Sequence, residues 1–467
     1  MTDTATVPAD GPVERSRRSW RELVSSSGVD TRLVGMVVAI AVIWIGFHAL
    51  SDGRFITSRN LWNLSVQSVS IGIMATGMVF IIVTRNIDLS VGSLLGLLGY
   101  TMALVQTDGK IWFFGLDLTI DSLKEHHWYT WIAALAIGML MGAIIGLLQG
   151  SLIAYVGVPA FIVTLAGMLF FRGLNQFIGK SNTIPVPPEF QVIGAGSLPE
   201  FGPSTGYNNL TVLLGVLGCA AIIFGALRNR AKLIRIGAEV EEAGIMWSRL
   251  LLISAVILGV MLLIASGTKG FPVSGLILVA LVIFYGFLSS KTILGRHIYA
   301  VGGNRHAAEL SGVKSKKVNF FVMANMSMLA ALAGMMFVAR SNASGPFDGN
   351  GWELDAIAAV FIGGAAVTGG VGTVVGSIVG GLVMAVLNNG LQLEGIGADR
   401  TQMIKGLVLL LAVWFDLYSK RQGRPSIIGH LMRKRGGTPS TPESPATTQN
   451  PAEAAVTSTD ATIRTES

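Results

Sequence analysis

Long apolar runs separated by short polar stretches dominate the chain. An α-helix rises about 1.5 Å per residue, so about 20 apolar residues are needed to cross a bilayer core. Runs of this kind lie near 33–50, 61–84, 89–106, 129–156, 159–178, 208–226, 250–267, 272–289, 318–339 and 403–419. They predict an all-α fold, a polytopic transmembrane helix bundle with about ten spans. A further apolar region, 356–392, is too long for one ordinary span and is interrupted by Thr368-Gly369-Gly370-Val371-Gly372-Thr373. That interruption predicts a split or re-entrant pair of short segments. Residues 1–31 read as an N-terminal tail, 32–420 as the membrane domain, and 421–467 as a C-terminal tail. The last part of that tail, rich in Ser, Thr, Pro and Ala, cannot bury enough apolar area to offset the entropy of ordering.

Composition supports the membrane reading. The 467 residues are 51% hydrophobic and only 13% charged, outside the range of ordinary soluble domains. Fifty-eight glycines would weaken soluble helices, but small residues let helices approach closely in lipid. Glycines recur every four residues at Gly138, Gly142, Gly146 and Gly150, and again at Gly372, Gly376 and Gly380. The pI near 9.6 does not point to nucleic acid, because the basic residues are scattered between apolar runs without a binding motif. They serve orientation instead. With every span alternating and 356–392 crossing twice or dipping in and returning, one side receives the N-terminal arginines, Arg228–Arg249, Lys291–Lys317 and Lys420–Arg435. That side is the expected cytoplasm, which places both termini there in a multi-pass cell-membrane protein. The long loops Asp108–Tyr129 and Lys180–Asn208 fall on the other side, as docking surfaces for an outer partner or as plain connections.

No chemistry of an enzyme assembles. Gly179-Lys180-Ser181 lacks the upstream glycine spacing of a phosphate-binding loop, His126-His127 has no matching ligand pair, and the single Cys219 can form no internal disulfide or multi-cysteine metal site. Catalytic and metal residues are therefore absent from the expectation. Ion-driven transport would need ionisable groups within the spans. Arg172, Lys405 and Asp416 are expected to snorkel to the interfaces, and this sparse set fits an ion-coupled secondary transporter poorly, though that remains the main alternative. A membrane-bound enzyme would require an acid, histidine or metal cluster that the sequence does not supply.

Leu294–Val318 is the most informative polar segment. Ala307, Ala308 and Leu310 recur at helical spacing between Gly302-Gly303 and Gly312, so either a short surface helix that a soluble partner can grip or a solvated basic loop fits. The stretch G-R-H-I-Y-A-V-G-G-N-R-H-A-A-E-L-S-G-V within it resembles the ATPase-coupling loop of permease subunits in the ribose, xylose and galactose branch of bacterial ABC importers. Residues 77–93, 158–173, 353–364 and 404–416 resemble the same family in the same order. Within it the chain is most similar to the D-xylose permeases, through the Phe-Arg-Gly end of the fifth span and an extra pair of spans before the coupling loop. Arg85-Asn86 departs from the family, whose members more often carry small, uncharged or acidic residues there.

The resemblance implies a permease that moves a monosaccharide, xylose or a related sugar, into the cytoplasm. It implies a second permease copy, cytoplasmic ABC ATPase subunits that hold ATP and Mg, and an extracytoplasmic sugar-binding protein, with no cofactor in this chain. The expected ATPase-coupling residues are Gly295, Arg296, Gly302, Gly303, Asn304, Ala307, Ala308, Leu310, Ser311 and Gly312. Candidates along the translocation path are Asp88, Ser90, Glu353, Asp355, Asn388 and Asn389. Asp88 and Ser90 either cap the third span or meet a sugar at a discontinuous helix end, and Glu353 and Asp355 have the same two readings. Asn388 and Asn389 need partners within an apolar helix, on a neighbouring span or on a passing hydroxyl. Asp88-Leu-Ser-Val-Gly and Asp355-Ala-Ile-Ala-Ala are expected on opposite sides of the membrane, as inverted repeats would place them.

Overall fold

In the computed structural model, the described residues are 31–420, except 114–115, 121–122, 124–128, 181, 239 and 241. The tail residues 1–30 and 421–467, His126-His127 and the basic cluster beyond Lys420 lie outside them, as does the side chain of Asp416.

Helices form on the apolar runs, and some of them start at a side-chain cap. Helix α1 is Thr31–Leu50; α2, Ser58–Val83, starts at Thr57, whose side chain accepts the Asn60 N–H at 3.3 Å. Helix α3 is Val91–Asp108, and α4, Thr130–Ser151, continues through one π-helical turn, Leu152–Val156. Then follow α5 (Ala160–Gly179), short α6 (Pro188–Ala195), α7 (Asn209–Arg235), α8 (Ala243–Ala265) and α9 (Val273–Lys291). Helix α10 is Ile293–Gly303, α11 Arg305–Leu310 and α12 Ser315–Ser341. The series ends with α13 (Trp352–Ile362), α14 (Val374–Leu393) and α15 (Ala398–Lys420). The described residues through Leu417 form one compact unit.

Among the described residues, eight helices are long and apolar enough to cross a membrane: α2, α4 with its π turn, α5, α7, α8, α9, α12 and α14. The expected spans near 33–50, 89–106 and 403–419 fold as α1, α3 and α15. Helix α3 falls short of the eight because Ser93, Tyr100, Thr101 and Gln106 lower its apolar character. The split of 356–392 is present as expected. Helix α13 has 11 residues, about 16 Å at 1.5 Å per residue, too short to cross alone.

Helices α2 and α12 form the centre, with 94% and 78% of their apolar stretches buried. Being apolar on every face, they suit a position surrounded by other helices. Helices α7 and α8 sit at the periphery and are mostly exposed along their apolar lengths, as lipid-facing helices would be. The glycine stripe of α4 lets it lie directly on its neighbours: Gly142 and Gly146 face Ser327 and Ala324 of α12, Gly150 faces Phe320, and Gly138 faces Met102 of α3. Gly376 and Gly380 likewise meet the backbone of Gly363 and Ala359.

The loop between α3 and α4 contains an antiparallel pair, β1 (Lys110–Phe113) with β2 (Leu116–Thr119). The loop between α5 and α7 is packed rather than free. Its β3 (Ile184–Pro185) pairs with β4 (Ala343–Ser344), Pro188 opens α6 in the favoured first turn, and Phe190 is wholly buried.

Candidate functional site

Helices α3 and α13 both begin inside the bundle, and their starts touch. At Gly92, in the first turn of α3, an added Cβ would strike a Glu353 carboxylate oxygen and the Gly349 carbonyl. From this junction the helices run in opposite directions. Helix α3 passes Gly334 and Val338 in the last turns of α12, whereas the loop after α13 reaches the end of α2, where the Gly370 N–H donates to the Val83 carbonyl at 2.9 Å. The two acidic segments therefore do not lie on opposite sides of the bundle. They converge at their helix starts, because the seven residues 84–90 and the ten residues 342–351 turn back inward; the antiparallel relation expected of inverted repeats is kept by the helix directions.

Asp88 is fully buried. One carboxylate oxygen accepts the Ser90 N–H at 2.8 Å and the Ser90 hydroxyl at 2.7 Å, so Asp88 holds the start of α3 as a capping group does. Ser90 itself makes no capping bond. Its hydroxyl accepts from the Gln149 side-chain amide of α4 at 3.1 Å. Gly167 of α5 leaves the space that the Gln149 amide occupies, and the Thr164 hydroxyl donates to the Ile87 carbonyl at 3.1 Å. Gln149 and Gly167 were not among the expected residues. The available sequence signal was one amide within the glycine series of α4.

Glu353 and Asp355 stand in the first turn of α13, where negative charge favours the positive helix end. Arg172 approaches Glu353 at 3.7 Å, and Lys405 donates to Asp355 at 2.9 Å with its side chain only 14% exposed. The snorkelling expected of Arg172 and Lys405 is thus corrected: each lies within reach of a buried acid, whose charge would be strongly destabilising if it were left without a partner. Asn388 donates to Asp355 at 3.1 Å, and Asn389 accepts from Asn60 of α2 at 2.9 Å. Both asparagines therefore find partners on neighbouring elements.

Arg172, Glu353, Gln392, Thr401, Gln402 and Lys405 line a cavity of about 450 Å³. It shares Arg172 and Asn350 with a smaller cavity of about 180 Å³ that reaches Ser93 and Asn175. The larger volume falls in the range of small-molecule sites. Three buried polar atoms on residues that line these cavities, one oxygen each of Glu353 and Asn175 and the Ser93 hydroxyl, have no hydrogen-bond partner. A buried polar atom left unpaired costs roughly 1–3 kcal/mol, so these positions favour a polar solute.

The second candidate region is the expected coupling segment. It folds as α10 and α11, joined at Asn304, whose side chain accepts the Ala307 N–H at 3.1 Å and so starts α11. Gly312 takes φ +85, the left-handed turn that ends the segment. Helix α11 exposes Arg305, His306, Ala307 and Leu310, the last 78% exposed, while Ala308 is buried. The Ser315 hydroxyl and the Arg305 guanidinium hold the Glu309 carboxyl below its usual range. Gly295 packs against the Leu288 and Ser289 carbonyls, Gly302 against the Val83 carbonyl, and Arg296 and Ser311 are exposed.

Residues 60–413 match the family model described as "Branched-chain amino acid transport system / permease component". The chain belongs to this permease family. It is 38% identical to the "Xylose transport system permease protein XylH" of Haemophilus influenzae over 84% of this chain and 98% of that protein. The protein of the same name from Escherichia coli K12 is 37% identical, over 83% of this chain and 92% of its own. The "Ribose import permease protein RbsC" of Escherichia coli K12 is 32% identical over 82% of this chain and 92% of its own. No solved structure matches. The permease is a multi-pass membrane protein, and its helical bundle is the expected fold class. Membership also accounts for the ordered motifs at 77–93, 158–173, 294–318 and 353–364, which lie within the matched region, and for 404–416, most of which does.

Proposed function

We propose that this permease is the membrane-spanning subunit of an ABC importer that carries a monosaccharide, xylose or a close relative, into the cytoplasm. The observation that carries the reading is the meeting of two oppositely directed half-helices at Gly92 and Glu353, beside cavities lined by charged and amide side chains. Half-helix starts inside a bundle are where transporters commonly bind polar cargo. Carboxylates and amides with unpaired oxygens accept hydrogen bonds from sugar hydroxyls, and Arg172 and Lys405 supply donors. The similarity to xylose and ribose permeases supports the cargo class.

Work comes from a separate ATPase carrying ATP and Mg. In this chain Gly179 and Lys180 close the C-terminal end of α5. Carbonyls point outward there, whereas phosphate is cradled by N–H groups at a helix start. The permease acts as a homodimer, receives cargo from an extracytoplasmic binding protein and needs no cofactor of its own. Exposed Arg296, Arg305 and Leu310 on α10 and α11 form the docking surface for the ATPase, which puts that end of the bundle, and both termini, in the cytoplasm of a bacterial cell membrane.

The test is reconstitution of permease, ATPase and binding protein in proteoliposomes with radiolabelled xylose, ribose and galactose. Uptake that requires ATP inside and persists with an ionophore is expected. Uptake that collapses with the ionophore and runs without the ATPase would establish an ion-coupled carrier instead.

A further inference from the structure

The turn that ends α2 contains an arginine where the backbone favours glycine. The Arg85 N–H donates to the Ile82 carbonyl at 2.9 Å and the Asn86 N–H to the Ile81 carbonyl at 3.0 Å, the two bonds of a Schellman motif, whose left-handed position is usually glycine. Arg85 holds that position at φ 63. A side chain with a Cβ is disfavoured there, so the arginine requires compensation elsewhere. It finds it on the coupling segment. Its Nε donates to the Gly302 carbonyl at 2.7 Å and its Nη2 to the Gly303 carbonyl at 2.6 Å. These carbonyls belong to the last two residues of α10, which have no partner within the helix, and a cation is favoured at that negative helix end.

The fork bridges two elements that matter separately. Gly302 and Gly303 precede Asn304, the elbow from which α11 starts. Arg85 precedes Asp88, whose carboxylate sets the start of α3, by three residues. The contact is tight on every side: Gly302 leaves no room for a Cβ beside the Val83 carbonyl, Gly369 packs on the Arg85 stem, and the Tyr299 hydroxyl donates to the Gly372 carbonyl at 2.7 Å. Asn86 reaches Asn319 on α12 at 3.2 Å. A displacement of α11 therefore meets the Asp88 turn through a bidentate, charge-assisted contact.

We infer that Arg85 is a positioning residue that latches the α10–α11 elbow to the Asp88 turn, so that movement of the coupling helices and opening of the path at Asp88 proceed together. The inference rests on the import reading above. Without the latch, the elbow moves when ATP binds while the turn need not follow, and hydrolysis without transport rises.

The variant R85G suits the test because glycine fits φ 63 without strain and removes the fork together with the stem that packs on Gly369. Wild type, R85G, R85K and R85Q are compared in proteoliposomes for uptake per ATP hydrolysed and for ATPase rate with and without the binding protein. R85G is expected to lower uptake per ATP at least fivefold, chiefly by raising the unstimulated rate, with R85K recovering part of the ratio and R85Q less. A structural role alone would lower folded yield and leave the ratio of each folded variant unchanged. Wild-type uptake per ATP in R85G overturns the latch. Should R85G fail to fold, R85Q decides: an unchanged ratio overturns the latch, a reduced one supports it. A wild-type permease that neither binds the ATPase nor imports sugar with ATP overturns the import reading itself, and the latch with it.

Discussion

Removing the Lys405 ammonium by Lys405→Met tests how the charged cavity is held together. Asp355 is fully buried, its side chain 1% exposed, and it keeps only the Asn388 amide once the lysine is gone. Breaking a buried ion pair from one side costs about 3–5 kcal/mol, because an uncompensated charge stays behind. Asn388 still donates, so the lower end, about 3 kcal/mol, is expected, roughly a 100-fold fall in the folded-to-unfolded ratio. Asp355→Asn is the milder change. Lys405, at 14% exposed, has a long stem that can carry its charge toward the cavity mouth, and a loss of about 1–2 kcal/mol is expected. Removing both charges in Asp355→Asn with Lys405→Met abolishes the stranded charge, so the double variant should lie within about 1 kcal/mol of Asp355→Asn. The assay is unfolding of the purified permease in detergent, followed by tryptophan fluorescence across a denaturant series. Additive losses in the double variant, or equal losses in the two single ones, would refute the reasoning.

Other consequences are open to measurement. Glu353→Gln removes the charge facing Arg172 and should slow uptake about tenfold, the worth of one hydrogen bond of roughly 1.4 kcal/mol; unchanged uptake with ATPase binding intact would take Glu353 out of the path. Leu310→Glu on the exposed face of α11 should abolish co-purification of the ATPase while thermal unfolding is unmoved, whereas Ala308→Glu buries a charge and should lower folded yield. Gly146→Leu drives a side chain into Ala324 and Ser327 and should cost about 2 kcal/mol or more. The control is Gly218→Leu on α7, which meets open space and should leave the unfolding midpoint where it is.

The spans, the break in 356–392 and the glycine-lined face of α4 were legible in the sequence because hydropathy and residue size are properties of single positions and their periods. The short helix in the coupling segment was legible for the same reason: Asn304 and Gly312 are local start and stop signals. Asn388 and Asn389 announced a need for partners, though not which ones. Arg172 and Lys405 show the limit. Arg172 lies in the second half of its apolar run and Lys405 near the start of its own, which reads as snorkelling, but what decides their place is the pairing with Glu353 and Asp355, 181 and 50 residues distant along the chain. The level of Asp88 was missed similarly, since no local signal tells whether a turn stops at the membrane face or folds back inside. Gly92 held the clue: a glycine in the first turn of a helix that needs no flexibility there, required because Glu353 lies against it.

These placements bear on how force could reach the cargo path. Helices α2 and α12 are packed on all sides, and their interfaces have no room to slide without collisions of the kind seen at Gly77, where Met326 and Leu329 fill the space a Cβ would take. Close-packed interfaces move as units or not at all. Motion confined to the path must therefore come from the discontinuous segments, and two of them, 84–90 and 363–373, lie side by side against the end of α10. One leads within a few residues to Asp88 and α3. The other follows α13, whose first turn carries Glu353 and Asp355. A rigid push on the α10–α11 elbow thus has two short routes to the junction of the half-helices, one through each acid-bearing element, and neither requires the central helices to repack.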